Sequence, residues 1–321
     1  MSMIVSICIP TFNNTKYLKD CLDSVYLSGE NFEYEVLIGI DGCENTLEYI
    51  KTLKLNKNTK IFYFSENHGP YVVKNTLAKI SQSENLIFFD SDDIMMPNLI
   101  KKTIESLKSF DLIKYRMTNF SIVNNEIKEK KTTAWGEGVF GIKKNIFLRF
   151  NGFEPWKVAA DSDFMGRMYK NKLKIEMNGD VLIYRRLHSE GLTSRKDTGF
   201  GSKLRNDYAR ISMKKNYFGP LSTLTTGKYS IVTNTFELEK ENIDDASEIL
   251  MIAQNKDSKK TFIDKVLTSH RSNPVQPVRP QIRYEVVNNV TQHRMNQKSQ
   301  YLNAMIKTKM IPQRHFRQNV K

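Results

Sequence analysis

Three carboxylates crowd into Asp90-Ser91-Asp92-Asp93, directly after the apolar run Leu86-Ile87-Phe88-Phe89. Ionised acids cannot be buried unpaired at tolerable cost, so such a cluster calls for a counter-charge. Hard oxygen ligands spaced Asp-x-Asp at a strand end suit Mg²⁺ or Mn²⁺ carrying the phosphates of a nucleotide. The competing reading is a strand-exit turn, with Asp93 or Asn98 starting the next helix. A simple turn seldom needs three acids, which favours the metal reading.

In open parallel sheets, ligands bind beyond the carboxyl ends of the strands. Two more predicted strand ends carry polar groups, at Pro10-Thr11-Phe12-Asn13 and at Asp41-Gly42. Asp41 could accept hydrogen bonds from a base or ribose, and Phe12 could cover a ring. Equally, Asp-Gly is a common turn and Phe12 an ordinary packing residue. Trp135, between a basic run and Gly136-Glu137-Gly138, could stack on a sugar or base or simply pack. Neither GxGxxG nor GxxxxGK[ST] occurs, so a Rossmann dinucleotide site and a P-loop have no support.

The elements that must position these groups alternate strand and helix. Residues 4–9 read as a strand stopped by Pro10. Asn13, Asn14 or Thr15 can cap a helix whose apolar positions Leu18, Cys21, Leu22 and Val25 share one face. Strands follow over 35–40, 60–64 and 86–89, and helices over about 45–54, 70–80 and from Pro97, with Pro70 fit for a first helical turn. The alternation predicts a right-handed βαβ sheet. Beyond residue 110 the pattern predicts short strands at 111–117, 121–127 and 139–142 and helices at 146–150 and 163–169. A hairpin of 174–177 and 181–184 is expected around Asn178-Gly179-Asp180. The expected class is α/β: a mostly parallel central sheet flanked by helices, with a mainly helical, basic C-terminal extension. Three regions are expected: a domain over 1–200, a helical accessory region over 201–272, and a basic Pro/Asn/Gln-rich extension over 273–321.

At 321 residues the chain can bury a sizeable core. No stretch approaches the roughly 18 apolar residues of a membrane span. The start of the chain lacks a basic segment followed by a cleavage site, so no secretory signal is expected. Three cysteines, Cys8, Cys21 and Cys43, share no metal-type spacing and suggest reduced thiols in a cytoplasmic setting, the host cytoplasm if the protein is phage-encoded. The net charge of +14 is uneven: residues 258–321 hold thirteen Lys/Arg against two acids. Such a region attracts polyanions.

Taken together, several segments resemble family 2 glycosyltransferases of the GT-A fold. They are Cys8-Ile9-Pro10-Thr11-Phe12-Asn13, Ile38-Gly39-Ile40-Asp41-Gly42-Cys43, Glu66-Asn67-His68-Gly69-Pro70 with Lys74-Asn75, and Phe88 through Pro97. Later come Gly152-Phe153, Ala160-Asp161-Ser162-Asp163-Phe164 with Arg167, and Tyr184-Arg185-Arg186-Leu187-His188, all in family order. The resemblance implies a nucleotide-diphospho-sugar donor, a UDP-sugar by preference, a divalent metal (Mn²⁺ or Mg²⁺) at Asp-x-Asp, and inversion at the anomeric carbon. It makes Asp41 the carboxylate that meets the nucleobase, Asp92 the metal-binding acid with Asp90 near the ribose, and Asp161 the general base. His188 matches a histidine that approaches the metal or diphosphate. Pro10, Thr11, Phe12, Asn13, Asn67, Gly69, Lys74, Ser91 and Arg186 complete the expected donor site; Trp135, Asp163 and Arg195 are the candidates for the acceptor. The chain departs from the pattern in carrying Ile40, Ala160 and Lys74 where the family usually has an acid, a Glu and an Arg.

Asp161 opens a helix and could be only its cap; Asp163 could serve instead and leave Asp161 free. For the acceptor, the basic region suits phosphate-backbone binding. That favours a hydroxymethylated base in phage-type DNA, flipped out to reach Asp161. The alternatives are a bacterial surface polysaccharide or protein, and a non-catalytic nucleic-acid-binding protein on a degenerate domain of this fold.

Overall fold

A computed structural model of the chain describes residues 4–123, 126–215 and 219–232. The expected extension over 273–321 and residues 233–272 of the accessory region lie outside the described residues.

Four parallel strands form the centre, β1 (Val5–Thr11), β2 (Tyr34–Asp41), β3 (Thr59–Phe64) and β4 (Asn85–Phe88), in the order β4-β1-β2-β3. Every residue of β1 and β2 is buried, as near-continuous apolar runs covered on both faces require. The period of two divides their side chains cleanly. Val5, Ile7, Ile9, Val36, Ile38 and Ile40 meet α1 (Leu18–Gly29), α2 (Glu44–Lys51) and α4 (Leu99–Leu107) on one face. Cys8, Leu37, Phe62 and Phe64 meet α3 (Pro70–Ile80), α5 (Lys144–Arg149) and α6 (Ala160–Lys170) on the other. Gly39 lets α3 approach: a Cβ there would lie 2.3 Å from Val73 Cγ1. All three cysteines are buried and unbridged.

The sheet is mixed. The parallel block follows the strand–helix alternation, but antiparallel additions extend it on both sides. β7 (Glu126–Lys143) pairs antiparallel with β4 and with β6 (Leu112–Val123), β8 (Ile175–Arg186) runs parallel to β6, and β5 (Ile94–Met95) runs antiparallel to β8.

Five expectations need correction. Pro10 does not stop β1. Cys8 accepts from the Phe89 amide on the β4 side, so Pro10, two residues on, turns its nitrogen to a side where the β4 pairing has ended at Phe88, and no ladder bond is lost. The strands expected at 111–117 and 121–127 are divided differently. Residues 112–123 form the single strand β6, because Thr118-Asn119-Phe120 pairs with neighbours on both sides, and residues 126–127 already belong to β7, which also takes in the strand expected at 139–142. The hairpin at 174–184 is also one strand. Both halves pair with β6 in the same direction, and Asn178-Gly179-Asp180 forms a bulge in which Asn178 Oδ1 accepts from the Asp180 amide at 2.9 Å. The local turn chemistry was real, but its direction was not legible. Helix α6 starts at Ala160 rather than 163, with Ala159 as its N-cap in left-handed backbone (φ 64°). Finally, the part of 201–272 that is described is not all helical. Beyond α7 (Lys203–Lys214), residues 219–229 form no helix and lead into β9 (Ser230–Val232), antiparallel to β3, and Asn75 on α3 donates to the Thr225 carbonyl.

Candidate active site

The carboxyl ends of β1, β2 and β4 share one rim and open into a cleft of about 930 Å³. Of the residues singled out in the sequence, all but one line it: Pro10, Thr11, Phe12, Asn13, Asp41, Asn67, Gly69, Lys74, Asp90, Ser91, Asp92, Trp135, Asp161, Arg186, His188 and Arg195. The exception is Asp163. Its side chain is wholly buried and pairs with Arg167 Nε at 3.1 Å, while Arg167 also donates to the Phe150 and Gly152 carbonyls. It therefore holds α6 to the α5 turn and neither caps the helix nor reaches an acceptor.

The acidic cluster divides its labour. Asp90 accepts from Lys74 Nζ at 2.7 Å, and the same ammonium, itself buried, donates to the Gly138 carbonyl. Ser91 is tied to the first loop, its carbonyl and hydroxyl both accepting from Asn14 Nδ2. Asp92 meets His188 directly, Oδ2 to Nε2 at 2.8 Å across 96 positions of chain. Asp93 turns inward and accepts from the Arg186 amide; burial, then the charges of Asp92 and Asp90, push its carboxyl well above the usual range.

Arg186, expected in the donor site, lines the cleft and makes several contacts within the protein. Its Nε donates to the Asp92 carbonyl and its Nη2 to Asp20 at 3.0 Å, and the guanidinium lies over the rings of Tyr17 and Phe120. Saturated in this way, it fixes the strand exit that carries Asp92. Asp20 is pushed up to about 6 by burial, against the pull of Arg186.

Asp41 is likewise committed. Its two oxygens accept from the His68 and Gly69 amides at 2.7 and 2.9 Å, locking the loop before α3 onto the end of β2. Burial raises its pKa and the two amides oppose the rise. Gly69 adopts φ 87°, a conformation few other residues tolerate, so the loop can turn its amides inward.

Asp161 sits in the first turn of α6 with one oxygen accepting from the Ser162 amide, and Tyr71 faces it from α3. Burial, then the charge of Asp161 and a hydrogen bond to it, hold the Tyr71 hydroxyl well above its ordinary pKa. Trp135 anchors its indole N–H on the Asn178 carbonyl at 2.9 Å and offers its ring to the cleft. Arg195 makes a two-point pair with Asp197, and Phe12 stands half exposed at the mouth.

Sequence reasoning missed Asn14, Tyr71 and Asp20. Asn14 was read only as a helix cap, and Tyr71 only as part of a helix start. Nothing local marks Asp20, whose partner is 166 positions away.

A divalent metal can be tested against these groups. Among the described residues no set of three or more His, Cys, Asp or Glu side chains converges as a closed metal site. A carboxylate and an imidazole do converge, at Asp92 and His188, and the buried His188 Nδ1 has no hydrogen-bond partner. Mg²⁺ is usually held by one or two protein groups plus substrate phosphates, so this open pair fits such an ion.

Residues 6–172 match the family described as glycosyl transferase family 2. The chain is 30% identical over 183 residues to an uncharacterized glycosyltransferase of Mycoplasma genitalium, covering 54% of this chain and 56% of that one. It is 30% identical over 211 residues to the poly(ribitol-phosphate) beta-N-acetylglucosaminyltransferase TarS of Staphylococcus aureus, covering 59% of this chain and 36% of TarS. The chain thus spans about half or less of the length of these relatives. A crystal structure of S. aureus TarS 1–349 in complex with UDP-GlcNAc superposes with a TM-score of 0.48 at 23% identity, covering 59% of this chain and 60% of that one.

Proposed function

Because this chain belongs to glycosyl transferase family 2, we propose that it moves a sugar from a nucleotide-diphospho-sugar, a UDP-sugar by preference, to an acceptor hydroxyl with inversion. The observation that carries the reading is the meeting of Asp161 and the Asp92–His188 pair in one cleft. An inverting transfer needs a single base, and Asp161 is the cleft carboxylate backed by Tyr71 rather than by a cation. It takes the proton of the acceptor hydroxyl as that oxygen bonds to the anomeric carbon and the bond to the diphosphate breaks. Asp92 and His188 would hold Mn²⁺ or Mg²⁺, which as a Lewis acid neutralises the leaving diphosphate. Lys74 holds Asp90 at the ribose side, and the loop anchored by Asp41 shapes the base pocket with Asn67 and Phe12.

The favoured acceptor is a hydroxymethylated base in DNA, supported by the thirteen Lys/Arg against two acids after residue 257. A bacterial surface polysaccharide or protein is the second reading, supported by the similarity to TarS, a poly(ribitol-phosphate) beta-N-acetylglucosaminyltransferase. The retained Asp90, Asp92, Asp161 and His188 speak against a non-catalytic binding protein.

The donor chemistry is tested by Mn²⁺-dependent UDP binding and slow UDP-sugar hydrolysis. Both are expected in the wild type and lost in Asp92→Ala; a wild type that binds UDP no better with Mn²⁺ than without sinks the proposal. Mass spectrometry of nucleosides from cells supplied with a hydroxymethylated base, with and without the protein, decides the acceptor.

A further inference from the structure

The cleft wall over residues 185–205 carries features the donor reaction does not use. Phe200 is 75% exposed although it lines the cleft. Its backbone is held in place: the Phe200 amide donates to the Thr193 carbonyl at 3.3 Å, and the Ser202 hydroxyl caps α7 at the Arg205 amide. The Arg205 guanidinium lies over one face of the ring, 5.1 Å from its centroid, and is itself oriented by the Thr198 carbonyl at 2.9 Å. The other ring face is open. Phe200 and Arg205 line the same cleft as Tyr71 and Asp161.

The surroundings are cationic. Residues 185–215 hold nine Lys/Arg against three acids. Arg185 lines the same wall and donates to the Thr193 hydroxyl at 2.6 Å. An aromatic face backed by a guanidinium and set among cations matches a flat base on a phosphate chain. A polyol phosphate has the charge but no flat ring.

Resting on the proposed glycosyl transfer to DNA, we propose that Phe200, backed by Arg205, is the platform on which a nucleobase of single-stranded or locally opened DNA stacks in the cleft that holds Asp161. Arg185 meets a flanking phosphate. Stacking is tolerant of base identity, so the platform orders the strand and leaves the choice of target base to the pocket.

The full chain is titrated with a single-stranded oligonucleotide and with an abasic strand of equal length and charge, at fixed salt. The wild type should prefer the base-bearing strand by about ten-fold, the span of one stacked base. Phe200→Ala should abolish that preference while the abasic strand binds as before. Phe200→Trp should keep it and show fluorescence quenching only with the base-bearing strand. Equal wild-type affinity for both strands, or an unchanged preference in Phe200→Ala, would overturn the inference. Sugar transfer to hydroxymethylated DNA alongside an unchanged preference would overturn the platform and leave the acceptor reading standing. Loss of preference without any such transfer would overturn the acceptor reading and leave the platform.

Discussion

Single side chains in this cleft divide into those that face ligand and those that hold others still. Asp161, the proposed base, is assigned to the first kind. Asp161→Asn keeps the shape and removes the proton acceptor, so transfer should fall by about 10²- to 10⁴-fold while UDP affinity in Mn²⁺ stays near that of the wild type. Equal losses in both would mean that Asp161 shapes the site rather than reacting in it. Asp20 belongs to the second kind and has a pH signature. Its carboxyl rises from 3.8 to about 6 on folding, chiefly through burial. Between those values the folded chain holds a proton that the unfolded chain has released. Its contribution is therefore greatest on the acid side and fades as pH rises through 6. Denaturant titrations at a series of pH values should show wild type losing stability relative to Asp20→Asn as pH climbs from about 4 to about 6. A difference independent of pH would contradict the burial of this group.

Elements decide where those side chains end up. The Asp163–Arg167 pair with two carbonyls ties α6, and hence Asp161, to the turn after α5. Breaking a buried ion pair from one side strands the other charge. Arg167→Ala should cost about 3–5 kcal/mol by denaturant unfolding, several times the cost of removing an exposed pair such as Lys203–Asp207. The apolar runs of β1, β2 and β4 made the parallel block legible, because burial on both faces writes itself into consecutive residues. The rim positions of Asp41, Asp90 and Asp92 followed from those strands. Long strands with mixed polarity were not legible. β8 contains Asn178-Gly179-Asp180, whose turn bonds look alike in a hairpin and in a bulge, and only its pairing with β6 distinguishes them. Neighbouring polar residues posed the same problem. Asp161 and Asp163 are alike in sequence, and only packing sends one to the cleft and the other to the core.

At the scale of the whole molecule, charge separates from chemistry. The acids that define the cleft lie before residue 162, whereas the cations of residues 185–215 and of the region after 257 come later. If DNA is the acceptor, full-chain affinity for a duplex should fall steeply with salt, by about a thousand-fold between about 50 and about 200 mM for six or more phosphate contacts. UDP affinity should change far less across the same range. A flat salt dependence for the duplex would remove the electrostatic support for that acceptor. Among the described residues no helix is long and apolar enough to cross a membrane.

The 96 positions that separate Asp92 from His188 also set an order of events during synthesis. The strands that carry Asp41, Asp90 and Asp92 leave the ribosome early and can pair with one another. Asp92 then waits for its imidazole, and for the Arg186 that braces its carbonyl, until β8 has emerged and inserted beside β6. At roughly 5–20 residues per second this interval lasts on the order of 5–20 seconds. Throughout it the acidic station exists as a nascent edge with no partner of opposite charge from β8. A growing chain of this design cannot complete the Asp92–His188 pair before its closing strand is in place.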